Sequence, residues 1–169
     1  MLAFAGPFFV GIWVRLVGVG EILTPAGVRL IDPDSHLHAW RMIVGLQHLP
    51  ALAPVHEARL AFPDGVDLGW PPGFDYLGAV LAWLAGASPA GEDVARVGCF
   101  LVVMLGALST FAAVALARRF VNLRWAWLAG AVAALTPMLV EYGRVGRVDY
   151  HVLEPLVTAG SSPPSSPLL

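Results

Sequence analysis

The sequence predicts an all-α integral membrane protein. Its 169 residues are 57% hydrophobic and only 13% charged, where soluble domains carry roughly 25% charge. Mean hydropathy is +0.72. Residues 97–117 run for 21 positions without a charge, and a helix of about 20 apolar residues crosses the hydrocarbon layer. All ten basic residues are Arg, and their distribution along the chain sets an expected orientation.

The first stretch, about 1–20, is apolar except for Arg15. It has neither the basic start nor the small-residue cleavage site of a secretory leader, and reads as a first span or signal anchor. Arg15 is expected to reach the interface. Residues 125–140 form a third span, with Trp125 and Trp127 as an aromatic belt at one end and Pro137 near the other. Between the second and third spans lie Arg118, Arg119 and Arg124 with no acid. The positive-inside rule places that short loop in the cytoplasm. Residues before 97 and after 140 then share the opposite face.

The expected external loop, 21–96, is rich in acids. It holds a predicted helix from about Asp34 to Leu49, capped by Asp34 or Ser35. Turns follow at Phe62-Pro63-Asp64-Gly65 and at Trp70-Pro71-Pro72-Gly73. The apolar run 74–87 is short and opens with Asp75, as an interfacial or re-entrant helix would. Residues 1–157 thus form one membrane unit. The Ser/Pro-rich tail, 158–169, cannot be a lipid-buried helix and reads as a truncated or frame-shifted end. The single cysteine, Cys99, excludes an internal disulfide and reads as a small hydrophobe.

Two polar clusters fall on the inferred external face. One is Asp32-Pro33-Asp34-Ser35-His36-Leu37-His38-Ala39-Trp40-Arg41 and the other Gly143-Arg144-Val145-Gly146-Arg147-Val148-Asp149-Tyr150-His151. Carboxylates with an imidazole suit Mg²⁺ or Mn²⁺, and such an ion neutralises a diphosphate leaving group. Asp149 and His151, one residue apart, can reach one ion, with Asp34 as a third ligand. Arg144 and Arg147 offer planar donors to phosphate oxygens. Each residue also has a plainer reading. Asp32 or Asp34 can be a helix cap, His36 and His38 interfacial polar residues, and the two Arg flanking charges. Ionisable groups at a membrane boundary are costly to keep, which favours a functional role for Asp149 and His151.

In order and spacing, these residues and Trp70-Pro71-Pro72-Gly73-Phe74 resemble the catalytic subunit of oligosaccharyltransferase, including its archaeal and bacterial single-subunit relatives. The resemblance covers about 1–156. It implies a multi-spanning GT-C fold with a long external first loop. It also implies transfer of oligosaccharide from a polyprenyl diphosphate to the asparagine of Asn-x-Ser/Thr in an acceptor protein. The family's catalytic first-loop Asp is matched best by Asp34, with Asp32 as the fallback. Its Gly-x-x-Asp-x-Glu/His motif is matched by Gly146, Asp149 and His151. The expected metal ligands are Asp34, Asp149 and His151, around Mn²⁺ or Mg²⁺, and the catalytic residues Asp34 and Asp149. The resemblance places the site on the periplasmic, exterior or lumenal side of a multi-pass protein, here of the inner (plasma) membrane. No nucleic-acid partner is expected. A later acidic loop and the domain bearing Trp-Trp-Asp have no counterpart in these residues, so the chain alone is expected to be inactive. Another GT-C transferase using a polyprenyl monophosphate sugar is the competing enzyme reading. A transporter would hold its acids near the bilayer midplane, whereas these lie at span ends.

Overall fold

The computed structural model describes residues 2–89 and 91–161. Helices dominate: α1 Leu2–Arg15, α2 Val19–Ile22, α3 Pro33–His48, α4 Gly73–Leu84, α5 Glu92–Ala117, α6 Leu123–Leu135, α7 Pro137–Gly143 and α8 Glu154–Ser161. Two antiparallel pairs of two-residue strands, Leu23–Thr24 with Gly27–Val28 and His56–Glu57 with Val66–Asp67, are the departure from an all-helical chain.

Two helical stretches, Ala5–Ile22 and Glu92–Ala117, are long and apolar enough to cross a membrane. A third crossing exists if α6 and α7 count as one span bent by 60°. The bend has a local cause. Thr136 precedes a proline and is driven to an extended backbone, φ −62° and ψ 120°. Pro137 then starts a new helix, because it lacks the N–H that would continue the old one. The predicted span 125–140 is therefore two helices.

α1, α5 and α6 pack as a three-helix core in which small residues let backbones approach. Thr110 Oγ1 donates to the Pro7 carbonyl at 3.3 Å, joining α5 to α1. A Cβ on Gly130 of α6 would stand 2.2 Å from Cγ2 of Val114 and 3.1 Å from Pro7. Val114 is β-branched and cannot rotate away cheaply. Gly130→Ala should therefore cost about 1–3 kcal/mol, the range for overpacked cores. Thermal unfolding of the detergent-solubilised protein checks this; an unchanged midpoint would mean that α6 shifts without penalty.

Arg15 does not reach an interface. Its side chain is fully buried, donating to the carbonyls of Gly11 at 3.0 Å and Leu139 at 2.9 Å. It fits because Gly106 of α5 and Gly143 of α7 carry no Cβ: one on either would come within 2.6 Å of its Nε. Arg15 thereby ties α1 to α7 just beyond the bend.

α3 matches the predicted helix but starts earlier. Neither Asp34 nor Ser35 caps it. Asp32 does, from an extended backbone (φ −141°, ψ 167°), its Oδ1 accepting from Ser35 N–H at 2.8 Å, while Pro33 takes the first helical position it favours. α4 packs on α3 and α5 as a short apolar helix. Cys99 is buried in the core against its neighbours. In the predicted tail, Thr158–Ser161 belong to α8; the rest of it, 162–169, lies outside the described residues.

Candidate functional site

The segment 144–149 is tied to other elements through its backbone. Val145 donates to the Arg15 carbonyl at 2.9 Å, and Ile31 donates in return to the Gly146 carbonyl at 3.0 Å. Val148 donates to Ser35 Oγ at 2.9 Å, while Ser35 Oγ donates to Asp32 Oδ1 at 2.8 Å. Gly146 adopts φ +90° with Ile22 against it; a Cβ there would be 2.8 Å from Ile22, so glycine is required twice over. Gly98 of α5 leaves room for Val148. These contacts bring the start of α3 and the segment before Asp149 together, although they are more than 110 residues apart.

Asp149 is buried, at 2% relative exposure. Its Oδ1 accepts from the His151 backbone N–H at 3.1 Å and lies 2.7 Å from His151 Nδ1. That makes it the cap of the 3₁₀ turn Tyr150–Leu153 as well as the partner of the imidazole. With Nδ1 engaged, His151 Nε2 points 3.8 Å from Glu154. The His151 ring stacks on Tyr150 at 4.2 Å and lies 5.2 Å from Tyr142.

Arg147 links the two clusters. Its Nη1 donates to Glu141 at 2.8 Å, its guanidinium covers the Tyr142 ring at 4.5 Å, and its Nε lies 3.5 Å from Asp32 Oδ2 and 3.9 Å from Asp149 Oδ2. Arg144 pairs with Glu141 at 3.3 Å. The neighbouring charges shift the pKa values. Burial pushes the Asp32 carboxyl up, but hydrogen bonds from Ser35 and the charge of Arg147 outweigh it and hold it below the usual carboxylate range. Burial lowers the Arg147 pKa, while Glu141, Asp32 and Asp149 together raise it above its ordinary value.

The sequence ranks Asp34 ahead of Asp32 as the first-loop carboxylate; in the structure Asp32 is the one beside Arg147 and Asp149. Asp34, at the second helical position, is exposed, and among the described residues it makes no hydrogen bond or ion pair. Asp32 Oδ2 faces the same guanidinium edge as Asp149 Oδ2 and is buried without a hydrogen-bond donor. Among the described residues no three carboxylate, imidazole or thiol groups converge on one point. Two hard oxygens aimed at a common cation, with an imidazole on the other oxygen of Asp149, nevertheless form a donor set that suits a divalent ion.

A second buried cluster escaped the sequence reading. His38, expected at an interface, is buried and lies 2.7 Å from Asp75 at the start of α4. Arg41 is buried 4.0 Å from the other Asp75 oxygen and donates to the Pro54 carbonyl. His38 also contacts the rings of Trp70, Phe74 and Tyr150. An open, mostly apolar groove of about 460 Å³ runs beside it, lined by Pro71, Gly73, Phe74, Tyr150, Leu153 and Glu154. The one sequence signal was the cost of an acid, Asp75, opening an apolar run.

No protein-family model matches the chain. It is 29% identical over 141 residues to dolichyl-phosphooligosaccharide-protein glycotransferase 1 of Archaeoglobus fulgidus, covering 83% of this chain and 23% of that protein. Its backbone matches two solved structures of the Archaeoglobus fulgidus oligosaccharyltransferase with TM-score 0.81 at 20% identity over 89% of this chain. One is in complex with Zn and sulfate, and the match spans 19% of its chain; for the other, AglB with an inhibitory peptide and a dolichol-phosphate, the match spans 17%. The chain thus spans about a quarter or less of the length of the proteins it matches. The resemblance to oligosaccharyltransferase holds in sequence and in backbone across most of its residues.

Proposed function

We propose that this chain is the N-terminal part of a GT-C oligosaccharyltransferase, which moves an oligosaccharide from a polyprenyl diphosphate to the asparagine of Asn-x-Ser/Thr in an acceptor protein. The observation that carries the reading is the convergence of Asp32 and Asp149, from distant parts of the chain, on one cation-filled point. The likeness to the archaeal glycotransferase supplies the reaction class.

Asp32, Asp149 and His151 are the residues that would hold Mn²⁺ or Mg²⁺; when bound, the ion would supply charge neutralisation for the diphosphate leaving group. Asp149 holds the His151 ring through Oδ1 and Nδ1 and leaves Oδ2 for the cation. Ser35 fixes Asp32 by donating to its Oδ1, which leaves Oδ2 for the cation. Arg144 and Arg147 are the candidate diphosphate donors. The apolar groove beside Tyr150 suits a polyprenyl chain or an acceptor peptide.

For the membrane arrangement we propose spans at about 1–20, 97–117 and 125–140 and an external loop, 21–96, in the plasma membrane, with the site facing the periplasm or exterior. The acid-bearing segment packs at Gly98 and Cys99 in the first turns of α5, and the three-Arg loop follows its far end. The helix from Gly98 to Ala117 puts about 30 Å between them.

The test is transfer of a lipid-linked oligosaccharide to an Asn-x-Thr reporter peptide by the intact protein in nanodiscs. Product should form with Mn²⁺ or Mg²⁺, vanish on chelation and return on adding the ion. Transfer that persists in chelator would end the metal assignment, and no transfer under any of these conditions would end the reaction assignment.

A further inference from the structure

The guanidinium between the two carboxylates is held in an uneven way. On the Nη1 side it has a full hydrogen bond, 2.8 Å to Glu141, and a ring beneath it. On the Nε side it faces Asp32 at 3.5 Å and Asp149 at 3.9 Å. Both distances exceed a hydrogen bond. Arg147 Nε and Asp32 Oδ2 are accordingly buried without hydrogen-bond partners. One positive charge faces two carboxylates there and hydrogen-bonds to neither. Buried carboxylates are costly when unpaired, so something must balance them before a cation arrives.

We propose that Arg147 is a built-in counter-ion that competes with the divalent cation for Asp32 and Asp149 and swings aside, pivoting on Glu141, when the cation binds. The inference rests on the metal-dependent reading above and deepens it. Arg147 lowers cation affinity while the site is empty and keeps the two carboxylates from repelling each other. Once displaced, its Nε edge is free while Nη1 stays on Glu141. Cation binding then both assembles the site and releases a phosphate donor beside it. Arg147 is a phosphate-binding residue, not a metal ligand.

The test is a Mn²⁺ titration of the intact protein in nanodiscs, read by electron paramagnetic resonance of the free ion. Arg147→Gln should bind Mn²⁺ about tenfold tighter than the wild type, because no resident charge then has to be displaced from the two carboxylates. Arg147→Lys keeps the charge and should bind no tighter than the wild type. Equal or weaker binding by Arg147→Gln would overturn the proposal, as would tighter binding by both variants. The wild type gives a second readout that needs no variant. Arginine-specific modification at Arg147, followed by mass spectrometry, should increase when Mn²⁺ is added; unchanged or reduced modification would overturn the release. A wild-type protein that binds no Mn²⁺ would overturn the metal reading itself, whereas binding without these effects would overturn this inference alone.

Discussion

Asp149→Asn and Asp32→Asn should each lower the rate of glycan transfer by the intact protein roughly a hundredfold or more, and each should weaken Mn²⁺ binding. Asparagine is the informative replacement at 149. Its side-chain oxygen can still accept from the His151 N–H, so the cap of the 3₁₀ turn survives and the charge alone is lost. The same holds at 32, where the oxygen still accepts from Ser35. Asp34→Asn is the contrast. Its carboxylate is exposed and without partners among the described residues, so its loss should leave the rate within about threefold of the wild type, the usual range for an isolated surface change. Steady-state transfer to a reporter peptide separates the cases. A large loss at 34 with little at 32 would restore the order the sequence suggested.

The second large effect is on stability. Arg15→Ala should destabilise the fold by about 3 kcal/mol or more: it empties the space between Gly106 and Gly143 and leaves the Leu139 carbonyl without its donor. Arg15→Met fills much of that space and removes a buried charge, so it should cost far less than alanine. The unfolding midpoint of the two variants in detergent checks the order. The effect should reach the site as well. The Arg15 carbonyl accepts from Val145, and its guanidinium holds α7, so Arg15→Ala should also weaken Mn²⁺ binding. Equal stability of the alanine and methionine variants would mean that packing at Arg15 contributes little.

The helical scaffold was legible because its signals are local. An uncharged run announces α5, and the period of apolar residues after Asp34 announces α3. The break at Pro137 was visible as a residue but not as a 60° bend, because prolines are tolerated in many membrane helices. The start of α3 was missed by one or two residues. Asp-Pro-Asp-Ser offers three capping side chains in four positions, and what selects Asp32 is the tertiary bond from Val148 to Ser35. That small shift places Asp32 rather than Asp34 beside Arg147. The buried pair His38–Asp75 spans 37 positions and has no local signature. Arg15 looked like an interfacial charge because only packing shows that two glycines on other helices make room for it. Asp149, His151 and both Arg of the second cluster were legible from charge placed at the end of an apolar segment. What they touch was not, since Glu141 reads as an ordinary flanking acid until its bond to Arg147 is seen.

A shared site requires the first-loop carboxylate and Asp149 to meet the same aqueous face of the membrane. His36 and Glu154 are exposed neighbours of that site, and Arg119 lies in the exposed loop after α5. Single cysteines at 36, 154 and 119, in a chain with Cys99→Ala, can be labelled in sealed oriented vesicles with a membrane-impermeant maleimide. Positions 36 and 154 should label from one side and 119 from the other only. Labelling of 36 and 154 from opposite sides would contradict the shared site and every role assigned to it.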